Sequence, residues 1–127
     1  LAAAGTALAL GWLLGASWPI LMSLAPKSAT TPIAMGIAER LGGLPSLTAV
    51  VVILTGMVGA AFGPWLLDRL GVRDPKARGM AIGVAAHGLG TARLLALDEV
   101  AGAFASLAMG LNGAATAILV PLLVSFF

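Results

Sequence analysis

LTAVVVILTGMVGAAFGPWLL, Leu47 to Leu67, runs 21 residues without a charge. At about 1.5 Å of rise per residue a helix of that length covers the ~30 Å hydrocarbon core of a bilayer, so this stretch predicts a membrane-spanning helix. Pro45 followed by Ser46 marks its start, with Ser46 expected as N-cap, and Gly59 and Gly63 form a GxxxG face suited to helix packing. The composition of the 127-residue chain agrees: 60% of residues are hydrophobic and 9% are charged, against roughly 25% charged in water-soluble domains. The chain lacks the polar surface that water requires, and residues 1–127 read as one all-α, polytopic membrane domain.

Outward from this span lie two further apolar runs. Leu1 to about Leu24 is uncharged and predicts a transmembrane helix kinked near Trp18 by Pro19, with Gly11 and Gly15 spaced for close helix contact. Val100 to Phe127 predicts another span, with Asn112 at its middle and Pro121 near its far end. Between the spans, DRLGVRDPKAR (Asp68 to Arg78) carries four cations and two acids, which accounts for the whole net charge of +2. The positive-inside rule places this loop in the cytoplasm; contact with anionic lipid or a partner is the other reading. Asp74-Pro75 predicts an N-cap followed by proline in the first helical turn.

Two segments are too polar for a lipid-facing helix and too apolar for a loop. The first is APKSATTPIAMGIAERLGGLPS, Ala25 to Ser46; the second is GMAIGVAAHGLGTARLLAL, Gly79 to Leu97. The second is expected to be a discontinuous helix whose first half ends around His87, with glycines carrying the break and Thr91 capping the second half. Sliding the chain against itself by 54 residues aligns Gly36, Leu41, Gly56 and Gly59 with Gly90, Leu95, Gly110 and Gly113. Each copy is an interrupted segment followed by a clean span, and paired interrupted segments point to a transporter's binding region. Segments that enter and leave on one side would make the copies inverted, and segments that cross would make them parallel.

In the first segment, Thr31-Pro32 predicts a helix start whose free N–H groups, with the Ser28 and Thr30 hydroxyls and the Lys27 ammonium, suit a small carboxylate. Simple capping by the threonines, with Lys27 snorkelling, is the structural reading. In the second, His87 could carry a proton near neutrality, Gly88, Gly90 and Thr91 surround the break, and Arg93 could clamp a carboxylate. Alternatively His87 bonds a carbonyl of the broken helix and Arg93 pairs with Glu39 or Asp98. Asn112 could donate to a substrate or join helices. No cysteine is present and there is one histidine, so no metal site and no cofactor is expected. Without an acid pair or a nucleophile beside a base, an enzyme is not expected. The small net charge without a basic stripe argues against nucleic acid as a partner.

The strings SLAPKSATTPIAMGIAERLGGLPSLTAV (Ser23 to Val50), GAAFGPWLL (Gly59 to Leu67) and RDPKARGMAIGVAAHGLGTARLLALDEVAGAFASLAMGLNG (Arg73 to Gly113) resemble the LrgB/CidB family of bacterial membrane proteins. The resemblance implies a bacterial cytoplasmic-membrane location and a missing N-terminal half, since family members are roughly twice this long. It implies an LrgA/CidA-like membrane partner, with a homo-oligomer also open. Two functions follow from it. One is transport of small monocarboxylates of the pyruvate, glycolate or glycerate type, with the two interrupted segments meeting near mid-membrane; the other is antiholin-like modulation of murein hydrolase activity and cell lysis. Lys27, Thr30, Thr31, His87 and Arg93 favour transport.

Overall fold

The computed structural model describes residues 2–126, and among these every regular element is a helix. In order they are α1 (Ala2–Leu13), α2 (Trp18–Leu24), α3 (Thr31–Arg40), α4 (Pro45–Arg69), α5 (Pro75–Leu97) and α6 (Glu99–Val124). The chain divides into two compact units. One holds the residues up to Ile53 together with those from Gly113 onward, and the other is Leu54–Asn112.

The expected spans at Leu47–Leu67 and Val100 onward are present as α4 and α6, of 25 and 26 residues; Phe127 lies outside the described residues. The expected single helix from Leu1 to about Leu24 is not. Leu1 lies outside the described residues, and α1 ends after 12 residues, roughly 18 Å and too short to cross alone. Its end is a Schellman motif: the Gly15 N–H donates to the Trp12 carbonyl at 3.0 Å and the Ala16 N–H to the Gly11 carbonyl at 2.9 Å. That geometry needs a left-handed residue, and Gly15 sits at φ 75°. Gly15 therefore terminates a helix where a packing role was expected. Gly11 does pack, since a Cβ there would stand 2.7 Å from Leu21 of α2. Pro19 falls in the first turn of α2, where its missing N–H costs nothing, and so begins a helix where a kink was expected. Gly42 and Gly71 end α3 and α4 by the same motif.

In the first unit, Ala4 and Leu8 of α1, Leu21 and Met22 of α2, Ile37 of α3 and Val120 and Val124 of α6 make the core. A buried hydroxyl pair ties α2 to the turn before α4. Ser23 Oγ donates to the Pro19 carbonyl at 2.6 Å and accepts the Leu44 N–H at 2.7 Å; Thr48 Oγ1 lies 3.0 Å from the Ser23 carbonyl and 3.1 Å from that of Leu44. Leu44 precedes Pro45 at the helix start, so Ser46, the expected N-cap, lies inside the first turn.

In the second unit, α5 is long and apolar enough to cross, yet it does not run straight. His87 has φ 48° and ψ −131°, and the chain is helical on either side. A Cβ on Gly90 would stand 2.7 Å from Ile82 Cγ2, whereas eight residues along a straight helix span about 12 Å. Arg78 and Leu97 line one cavity, although a straight helix would hold them about 28 Å apart. The two arms, 75–86 and 88–97, thus form a hairpin with His87 at its tip. The incoming arm lies along α4 and α6: Gly59 faces Ala86, Gly63 faces Ile82, Gly79 faces Ala101 and Gly83 faces Ala105. These small residues let backbones approach closely, the packing role expected for Gly59 and Gly63.

The first interrupted segment follows the same path. Ser23 reaches Leu44 and Thr48, while Ala29 packs with Val52. The chain from Ser23 to Ala29 therefore runs alongside the start of α4, and α3 carries it back. Shifted by 54 residues, α4 (45–69) falls on 99–123, the range of α6, and α3 (31–40) falls on 85–94, across the outgoing arm of α5. Each copy is thus a hairpin followed by a helix of membrane-spanning length.

Candidate functional site

Lys27 to Thr31 fall at the tip of the first hairpin and His87 to Thr91 at or just past the tip of the second. At the first, Pro26 is fully buried, Lys27 and Ser28 are half-buried, and the Lys27 and Ala29 amides close tight turns onto the Leu24 and Pro26 carbonyls at 3.1 and 3.0 Å. Thr30 is the N-cap of α3, with φ −66° and ψ 149°, and its side chain makes no capping hydrogen bond. The first backbone bond of the helix runs from the Ala34 N–H to the Thr30 carbonyl at 2.9 Å. Ahead of it lie the amides of Thr31 and Ile33, with Pro32 supplying no donor. The predicted helix start at Thr31-Pro32 is therefore present, and the Thr30 hydroxyl is not used to cap it. Glu39 and Arg40 are exposed at the far end of α3, away from the tip.

At the second tip the break is where it was expected, but not carried as expected. Neither Gly88 nor Gly90 has positive φ; His87 itself does, and it is 3% exposed. A non-glycine residue in that region costs of order 1–3 kcal/mol, and such strain collects at functional sites. The two glycines have different tasks. A Cβ on Gly90 would overlap Ala86 Cβ, so Gly90 lets the arms close, while a Cβ on Gly88 would meet nothing within 4 Å. Thr91 does not cap the outgoing arm, because helical geometry resumes at Gly88; it is buried four residues past the break, 3.9 Å from Met109 Sδ. Asn112 is half-buried in α6.

Arg93 pairs with neither Glu39 nor Asp98. Its Nη1 donates to the Ala60 carbonyl at 2.6 Å. Pro64 stands four residues after Ala60 inside α4, and a proline has no N–H to complete the i→i−4 bond. The Ala60 carbonyl is thus orphaned by Pro64 and satisfied by Arg93, a role the sequence reading missed although Pro64 was its signal. Asp98 instead caps α6, accepting the Ala101 N–H at 2.9 Å. Ser23 and Thr48, also missed, are fully buried in the frame of the first hairpin.

Lys27, Ser28, Thr30 and Thr31 thus belong to the first unit, and His87, Gly88, Gly90, Thr91, Arg93 and Asn112 to the second. Within each unit the tip offers the N-terminus of a ten-residue helical segment, a partly positive end that suits an anion.

A family profile described as the LrgB-like family matches residues 1–126. The chain is 42% identical over 122 residues to the uncharacterized protein YwbG of Bacillus subtilis, covering 95% of this chain and 53% of that protein. It is 35% identical over 113 residues to the holin-like protein CidB of Staphylococcus epidermidis and, over the same length, to the antiholin-like protein LrgB of Bacillus mycoides, covering 89% of this chain and 49% of each. The chain spans about half the length of these curated relatives. No solved structure matches it.

Proposed function

The chain belongs to the LrgB-like family, and from that premise we propose that it is the C-terminal part of a carrier for small monocarboxylates of the pyruvate, glycolate or glycerate type. It works as the LrgB-like subunit of a two-component system with an LrgA/CidA-like membrane protein, in the bacterial cytoplasmic membrane, with the loop 68–78 on the cytoplasmic side. The observation that carries this reading is the reversal of α5 at buried His87, within a helix of membrane-spanning length and composition. Irregular backbone at membrane depth persists where protein or a cavity satisfies it, and half-helix N-termini recur as anion sites in carriers.

At the first tip, Thr30, Thr31 and the α3 amides bind carboxylate oxygens, with Ser28 beside them and Lys27 balancing charge. At the second, the amides at Gly88 and Gly90 are donors and His87 carries a coupled proton, with Thr91 and Asn112 as polar neighbours. Arg93 supports this reading least, because one of its donors holds the Ala60 carbonyl.

The names of the relatives favour a second reading, an antiholin-like modulator that controls murein hydrolase activity and lysis. Proteoliposomes holding the full-length protein with its LrgA-like partner separate the two. Saturable uptake of labelled pyruvate or glycolate, without release of trapped dye and abolished by Thr31→Val, is the outcome expected of a carrier. Dye release without saturable uptake would sink it. For His87→Ala, a pH dependence of uptake identical to the parent would remove the proton role.

A further inference from the structure

At the mouth of the α5 hairpin, opposite its tip, lies a cavity of about 340 Å³ within the second unit. Arg73 reaches it from the α4–α5 loop, Arg78 from the incoming arm, and Leu94, Leu97 and Ala101 form an apolar wall; Asp98 is its one acid. We propose that this cavity holds the phosphate of an anionic phospholipid, with the lipid's glycerol and acyl chains running onto the apolar wall.

The charges in the cavity are not equivalent. Arg78 is committed to the protein: its Nη1 donates to Asp68 Oδ1 at 2.5 Å and to the Val72 carbonyl at 2.9 Å. Among the described residues this is the one ion pair, so Arg73, which is exposed, is held by no carboxylate. Asp98 already accepts the Ala101 N–H, which turns part of its charge to the α6 N-terminus. An incoming anion thus meets a guanidinium with its donors available and a second one behind it, a geometry that suits phosphate oxygens.

The surroundings select a lipid over a free anion. The cavity stands at the open end of the α5 hairpin, where α4 ends and α6 begins, two helices of membrane-spanning length. Two cations flank that end over aromatic rings: the Arg69 guanidinium is 5.4 Å from the Trp65 ring centre and the Lys76 ammonium 5.8 Å from that of Phe104. Aromatic rings with cations at a helix end mark the headgroup level. Leu97, 70% exposed at the cavity, continues the lipid-facing surface, so apolar chains attached to the phosphate find a path that a free phosphate would not use. Basic pockets between membrane helices bind phospholipid headgroups in this manner.

The test uses the full-length protein in uncharged detergent, titrated with phosphatidylglycerol or phosphatidylcholine of equal chain length and followed by native mass spectrometry. Phosphatidylglycerol should be retained in preference to phosphatidylcholine, and Arg73→Gln should weaken that retention about fivefold, the effect of one cation near a membrane surface. Arg73 is exposed and makes no side-chain hydrogen bond or ion pair among the described residues, so this variant reports on binding. Arg73→Lys should keep most of the affinity, and Arg69→Gln should leave it unchanged. Equal retention of the two lipids, or phosphatidylglycerol binding indifferent to Arg73→Gln, would overturn the proposal. Displacement of the lipid by an equal concentration of inorganic phosphate would also overturn it, in favour of a free-anion site.

Discussion

The two hairpins meet the same requirement by different physics. The first turns over several residues, Ala25 to Thr30, and is tied at its base by hydrogen bonds among Ser23, Leu44 and Thr48. The second turns at one residue, His87, and is held by backbones in close approach at Gly79, Gly83 and Gly90. A wide turn keeps ordinary backbone angles and must satisfy its polar groups with side chains. A tight turn needs little polar support but demands a left-handed residue and no Cβ where its arms close. The difference teaches where each copy of the repeat is vulnerable: the first to loss of a hydroxyl, the second to gain of a methyl.

The largest effect should come from adding bulk to the tight hairpin. A Cβ at Gly83 would collide with the backbone of Ala105, so Gly83→Leu should cost about 3 kcal/mol or more and abolish the monodisperse peak of the full-length protein in size-exclusion chromatography. Gly88→Ala, in open space one residue past the tip, is the control and should stay within about 0.5 kcal/mol of the parent. A normal peak from Gly83→Leu would show that the arms are not held by close approach.

Next in size is the latch between Arg93 and Ala60. Arg93→Ala should destabilise by about 2 kcal/mol, because it leaves a carbonyl without a donor. Pro64→Ala restores the backbone N–H that α4 lacks, so the pair should show a coupling of about 1–2 kcal/mol in a double-mutant cycle of thermal unfolding. Additive effects would mean that Arg93 does not serve the carbonyl freed by Pro64.

Loss of a hydroxyl tests the wide hairpin. Ser23→Ala removes the acceptor of the Leu44 N–H and should cost about 1–2 kcal/mol, read as a lower unfolding midpoint. If it is neutral, the first hairpin too is held by packing and the contrast fails. The smallest net change should come from His87→Gly, which relieves the φ of 48° but also removes a buried side chain, so the two effects should offset to within about 1 kcal/mol. An unfolding midpoint far below the parent's would show that the His87 side chain contributes more than its backbone strain costs.

What was legible in the sequence was local. Leu47–Leu67 reads as a span because length and the absence of charge are properties of the segment itself. Asp74-Pro75 reads as a cap for the same reason, and Asp74 does accept the Lys76 N–H at 3.2 Å. Thr31-Pro32 reads as a helix start and is one. Even local reading fails where two local rules compete. Gly15 fits a packing face and a Schellman end equally well by spacing, and in the structure it takes the second, at φ 75°. The break near His87 was visible as a run of residues that a plain helix avoids, but not which of them would carry it.

By itself, then, the sequence determined the solvent, the helical class, the spans at α4 and α6, the repeat and the segments that cannot be plain helices. Each rests on the composition or the nearest neighbours of a residue. Only the tertiary structure decided that those segments double back, that Arg93 answers Pro64 across two helices, and that Ser23 serves Leu44 twenty-one residues away. A buried donor or acceptor must find a partner wherever packing brings one within reach, and that distance is not written in the order of the chain.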